Sequence, residues 1–202
     1  MPSIDVQLGV ATLLEQCAQR RAGVISAHYQ EDSVHITRML QAEAAGRELL
    51  TALVRPDPFP DSSLGATLRR LVNYMQTVIT ASTPEDQLAP LLTTRMHRVV
   101  AGCAVTRLLR DAMILLVLTA IDDDATGVEV RLERINGGTT LTVESDRPSV
   151  VDDLSVLRNV RNDVVGYGGG WESGLSQHGG SWMVMVSMPF EQQCEQEASR
   201  GN

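Results

Sequence analysis

His28 and His35 are the residues whose surroundings most invite nucleophilic chemistry. His28 is followed at helical reach by Glu31 and Asp32, and His35 lies three residues before Arg38. An imidazole that accepts a phosphoryl group must be exposed, orientated by a nearby carboxylate or polar group, and keep one ring nitrogen as nucleophile. The neighbourhood of His28 suits that requirement, although an ordinary surface histidine at a helix end fits the same pattern. A second constellation is acidic. Residues 122–124 are three consecutive aspartates, and Asp146 follows a strand-like run. Clustered hard oxygens suit a divalent cation, and a solvated acidic turn has the same composition. The glycines of 166–170 follow a helical pattern and enter a strand, the reverse of a phosphate-cradling loop, so they read as a helix stop. Cys17, Cys103 and Cys194 are scattered, with no spacing that suits zinc, and read as reduced thiols.

The elements that must position these groups follow from periodicity. Apolar residues recur at three- and four-residue steps from Val6 to Val54, with Glu31–Ser33 offering a cap between two helices or a break in one. The prolines of 55–61 must stop any helix. The run Asp61–Ser63 then caps a helix over 64–80, whose Leu64, Leu68, Leu71, Met75 and Ile79 share a face. The whole predicts a helical hairpin or a three-helix unit. The linker at 82–86 separates it from an alternating strand, Leu91–Val100, and an apolar helix, Thr106–Ile121. Strands over 128–134 and 139–144 are joined at Asn136–Gly138. A helix ending at Tyr167–Gly169 and two more strands follow, the last over 181–190 with its turn at the two glycines after His178. On that last strand Met183 and Met185 are expected in the core and Trp182 on the opposite side. This is an α+β chain: a helical unit over 1–81, an α/β sandwich over 88–190, and a polar, disordered tail over 191–202.

Composition narrows the function. The chain has 202 residues and a net charge of −8, with no basic block to neutralise phosphates, so nucleic acid is not an expected partner. Its seventeen basic residues are all arginine, as a GC-rich genome would give. The start carries no basic, apolar leader and no run approaches a membrane span, so a cytoplasmic protein is expected. An apolar-faced hairpin cannot satisfy its own core. Burial at about 25 cal/mol per Å² favours pairing two hairpins in a dimeric four-helix bundle, the other outcome being that the hairpin folds back on its own α/β unit.

The order helical hairpin, linker, α/β domain resembles the transmitter module of sensor histidine kinases. The nearest likeness is to the HWE-type kinases and the small histidine phosphotransferases, and the α/β part resembles the GHKL or Bergerat ATPase fold. Residues 64–72 are similar to the second bundle helix of those kinases. Residues 157–169 resemble the helix that ends in His-Gly-Gly, with Tyr167 in place of the His, and 179–189 match the closing glycine turn, strand and Pro. The resemblance implies a Glu and a Mg²⁺-binding Asn on the apolar helix, where this chain has Ala120 and Asp124. It implies an adenine-reading Asp in an Asp-x-Gly-x-Gly motif, where Ser145, Arg147 and Ser149 stand. A one-residue slip would use Asp146, still without the glycines. The Gly-x-Gly of the lid is absent from 151–156. Where HWE-type kinases carry Glu and then His-Arg, Glu15 is followed by Ala18.

What the resemblance then implies is a two-component signalling protein with an eroded nucleotide site and no cofactor. It would act as a phosphotransferase through His28 or His35, or as a pseudokinase scaffold, docking a response-regulator receiver or a partner kinase. The alternative is an active GHKL enzyme, a sensor histidine kinase or an anti-sigma-factor-type kinase, binding Mg-ATP through Asp124 and Asp146. In the eroded reading, Arg147 or the segment from Val150 to Leu157 closes the space beside Asp124 and Ser145.

Overall fold

Ser63 accepts a hydrogen bond from the Ala66 amide and caps helix α3, Leu64–Ser82. It is the last residue of the Asp61–Ser63 run from which the cap was expected. The computed structural model describes residues 4–27, 33–54, 63–83, 87–135, 137–147, 155–176 and 181–189. Two helices precede α3: α1, Ile4–Ala27, and α2, Ser33–Val54. The Pro-rich run 55–61, the turn at 177–180 and the tail lie outside the described residues, as does His28.

The α/β part runs β1 (Leu91–Met96), α4 (Cys103–Asp122), β2 (Gly127–Ile135), β3 (Gly138–Ser145), α5 (Ser155–Gly166), β4 (Gly170–Leu175) and β5 (Trp182–Pro189). The strands form one sheet in the order β1-β2-β3-β5-β4, with β1 parallel to β2 and the other pairs antiparallel. Gly137, at φ 83°, makes the β2–β3 turn in a backbone region that glycine enters without cost.

Strand alternation sorts the sheet into two faces. Val128, Val130 and Leu132 of β2 stand opposite Ser145, Val143 and Leu141 of β3, and all are buried against the helices. Glu129, Arg131 and Glu133 point to the other face, where Arg95 pairs with Glu129 and Arg131 with Glu144. One face is dry and the other charged, as in many antiparallel sheets. On β5 the expectation is corrected. Trp182 is 4% exposed and lies on the helix side with Val184, Val186 and Met188, while Met183 and Met185 share the charged face. Register decides this: Trp182 stands opposite Ser145, whose row is the buried one. The strand expected over 91–100 is also shorter, because the Leu64 amide bonds the Val99 carbonyl and pulls the chain under α3.

α4 is apolar on almost its whole circumference, as a helix must be when both sides are covered. It meets β2, β3, β5 and α5 on one side and α1 and α3 on the other. The helical unit therefore folds back on the α/β part. Val10 and Leu13 of α1, Ala42, Leu49 and Leu53 of α2, and Leu68, Leu71 and Met75 of α3 share one core with α4 and the sheet. Gly9 lies so close to the Leu118 side chain that a Cβ would stand 2.8 Å from it. The apolar area that composition assigned to a second copy is in large part used within the single chain.

Candidate functional site

The end of α4 brings the acidic candidates together. Asp124 has φ 59°, the left-handed conformation, and is exposed. The Ala125 amide bonds the Ala120 carbonyl at 3.0 Å and the Asp124 amide bonds the Ile121 carbonyl at 3.0 Å. This pair of bonds around a left-handed residue is a Schellman stop. Ala120 and Ala125, the two residues joined by the first of these bonds, are both buried. The two positions that the resemblance aligned with a catalytic Glu and a metal-binding Asn are thus occupied by parts of a helix stop. α5 ends the same way: Gly168 has φ 82°, and the Gly169 amide bonds the Val164 carbonyl at 2.9 Å. The glycines of 166–170 are the expected helix stop.

Asp146 stands beside this loop. One carboxylate oxygen accepts the Thr126 amide at 3.0 Å and the other accepts the Thr126 hydroxyl, while the Asp146 amide bonds the Gly127 carbonyl at 3.1 Å. Partial burial pushes the Asp146 carboxyl upward. Hydrogen bonds from the Thr126 hydroxyl and from the Gly127 and Thr126 amides, with Arg147 nearby, outweigh it and hold the group below the usual range. Asp122 moves the other way, raised by burial and then by the charge of Asp123. Ser145 is 1% exposed, and its hydroxyl accepts the Arg147 amide at 3.2 Å. The Arg147 side chain is exposed. Of the other segment expected to close this space, Val150–Leu157, residues 150–154 lie outside the described residues and 155–157 open α5.

Asp146 is therefore tied to Thr126, two residues beyond Asp124, at one end of the sandwich. Among the described residues no group of three or more His, Cys, Asp or Glu side chains could hold a metal. His35 belongs to the first turn of α2. His97 is exposed just past β1, its amide bonded to the Leu132 carbonyl. Among the described residues no helix is long and apolar enough to cross a membrane.

Two side chains that sequence reasoning passed over tie elements of the unit together. Arg110, 1% exposed within α4, donates from Nη1 to the Ala52 carbonyl at 2.9 Å and from Nε to Asp111 at 2.8 Å. Its signal was visible: an Arg-Asp pair interrupts an otherwise apolar run. Gln76 of α3 accepts the Leu92 amide at 2.6 Å and donates to the Pro90 carbonyl at 3.0 Å, closing the outer edge of β1. No periodicity announces that role.

No family model matches the chain, and no curated protein sequence matches it. Solved structures do. The blue-light activated histidine kinase EL346 of Erythrobacter litoralis aligns over 92% of this chain at 16% identity with a TM-score of 0.54. The chain spans 63% of the length of that kinase. The isolated histidine kinase domain of the same protein aligns over 93% of this chain and 94% of its own, at 16% identity and a TM-score of 0.53. A bacterial phosphotransferase aligns over 90% of this chain and 91% of its own, at 10% identity and a TM-score of 0.55. The chain thus has the fold of a histidine-kinase transmitter: helices joined to a GHKL-like α/β sandwich.

Proposed function

We propose that this protein is a two-component signalling protein that passes a phosphoryl group between a helical histidine and a receiver aspartate, docking its partner on the N-terminal helices. The observation that carries this reading is the use of Ala120 and Asp124 as parts of a helix stop. Mg-ATP chemistry on this frame needs a carboxylate and a metal-holding amide on that helix. Ala120 is a buried methyl group, and Asp124 is an exposed stop residue. Asp146, the remaining candidate for reading adenine, is engaged at both oxygens by Thr126. These residues do not fit the nucleotide.

Helix geometry supports the same reading. His35 lies seventeen residues before Ala52, the point at which Arg110 holds α2 against α4. At about 1.5 Å per residue this places His35 about 25 Å along α2 from that contact. A phosphoryl group would come from a separate partner, a receiver domain or a kinase, and the protein would act as a homodimer without nucleic acid or membrane. The fold of a bacterial phosphotransferase, aligned over 90% of this chain and 91% of its own, is compatible with this assignment, as is that of the histidine kinase domain, which aligns over a like share.

Two measurements test it. Calorimetry with Mg-ATP at millimolar concentration should show no saturable heat; saturable binding would restore the active-kinase reading. Incubation with a phosphorylated receiver should label the protein, and His28→Ala or His35→Ala should abolish that label. Unchanged labelling in both variants rules out these acceptors, and no labelling of the parent chain leaves a pseudokinase scaffold.

A further inference from the structure

The sheet face turned away from the helices changes character from one side to the other. On β1 and β2 its arginines are paired, Arg95 with Glu129 and Arg131 with Glu144 of β3. Register carries the same two rows onto the half-buried Met183 and Met185 of β5, and then onto the exposed Gly174 and Glu172 of β4. With Thr142 beside Met185, they leave an uncharged strip along β5. Two carboxylates flank the strip, Glu133 on β2 and Glu172 on β4. Among the described residues neither has an ion-pair partner. Gly174 points to an occupant. Glycine inside a strand weakens it, and the reasons for keeping one are a bulge, a bend or the close approach of another molecule. β4 pairs with β5 in unbroken register, and Gly174 is not among the glycines of positive φ. A Cβ at 174 would meet no atom within 4 Å. Nothing within the described residues requires that glycine.

We propose that this strip receives an amphipathic helix of a partner protein, its apolar side on Met183, Met185 and Gly174 and basic residues along both flanks. In the sheet order β2 and β4 stand three strand spacings apart, about 14 Å. That width admits a helix about 10–12 Å across laid along the strands. The partner helix gives the sheet a second helical layer, as sheets covered on both faces have. Charge selects the occupant, because only a basic flank meets Glu133 and Glu172. A second copy would bring a chain of net charge −8. The chain's own residues after Pro189 carry Glu191, Glu195 and Glu197 against Arg200. Phosphate-bearing partners are repelled for the same reason. The strip lies on the α/β part, apart from the N-terminal helices, and its occupation is independent of phosphotransfer.

The test uses the full chain, isotopically labelled at its methionine methyls, and a synthetic helix of Leu and Lys with leucines at three- and four-residue steps. Titration should move the Met183 and Met185 signals saturably and leave those of the buried Met75 and Met113 in place. The same peptide with Glu for every Lys should not bind. Glu133→Gln with Glu172→Gln should weaken the Leu/Lys peptide about tenfold. Gly174→Val should abolish its binding while the melting temperature holds or rises, because valine suits a strand better than glycine. No binding, undiminished binding to the Gly174→Val chain, or shifts confined to Met39 of α2 would overturn the inference. A lower melting temperature for Gly174→Val would mean that the fold itself needs the glycine, and would overturn it too. Shifts of Met183 and Met185 that grow with protein concentration alone would make a second copy the occupant instead.

Discussion

Arg110 reaches from α4 to the Ala52 carbonyl in the last turn of α2, at 2.9 Å, while the same guanidinium holds Asp111 at 2.8 Å. A helix leaves its last four carbonyls without intrahelical partners. A cation there also opposes the negative end of the helix dipole. Arg110 meets both needs in a place where water does not reach, and in doing so joins the helical unit to the helix that carries the candidate site.

Removing one partner of a buried pair should cost far more than replacing both. Arg110→Met leaves the 5%-exposed Asp111 carboxylate without that guanidinium and should destabilise the fold by about 3–5 kcal/mol. Arg110→Met with Asp111→Leu should recover most of the loss. Urea denaturation of the three proteins reads the difference, and equal losses in the single and double variants would show that the pair is not the unit.

Asp124→Gly should stabilise the protein. A non-glycine residue in the left-handed region carries a conformational penalty of about 1 kcal/mol, and Asp124 sits there at φ 59°. It also adds a negative charge to an end of α4 that already holds Asp122 and Asp123. Thermal unfolding should rise by a few degrees for a gain of about 1 kcal/mol. A loss of stability would mean that the Asp124 side chain makes a contact worth more than its strain.

These cases show which features were legible in the sequence. The apolar run over Thr106–Ile121 could only be a doubly covered helix, and Ser63 and the glycines after Tyr167 marked element ends through chemistry carried by the residues themselves. The side of the sheet that Trp182 faces was not legible, because period-2 alternation on β5 offers two apolar faces and only register with Ser145 chooses between them. The packing of α1–α3 on α4 was likewise hidden, since an apolar stripe specifies that it must be covered and not by what. Gln76 looked like one more polar residue because its partners are backbone groups remote in sequence.

Asp146 should make stability depend on pH in the acid range. Its carboxyl is held below the usual value in the folded chain, so its contribution is present above the unfolded pKa, about 3.9, and is lost as pH falls through the lower folded value. The side chain is exposed, so the effect should be small. Thr126→Val removes the hydroxyl donor and should lower the urea midpoint near pH 7, with the difference shrinking towards pH 2. A difference that stays constant across that range would assign the loss to packing of Thr126.

Gln76 offers a sharper separation of charge from hydrogen bonding. Its amide oxygen accepts the Leu92 amide and its amide nitrogen serves the Pro90 carbonyl, so one side chain imitates a neighbouring strand. Gln76→Leu leaves both half-buried backbone groups without this partner and should cost about 1–3 kcal/mol. Gln76→Glu keeps an acceptor for Leu92 but loses the donor and turns a carboxylate towards a carbonyl. Near pH 7 it should be nearly as damaging as Leu. As pH falls through about 4, protonation supplies an O–H donor again, and the variant should approach the parent while Gln76→Leu does not. Denaturant midpoints across pH 3–7 check this, and parallel curves for the two variants would show that Gln76 does not close the β1 edge by hydrogen bonding. An opened edge is also a template for pairing with another chain, so Gln76→Leu should raise light scattering at high concentration more than its stability loss alone explains.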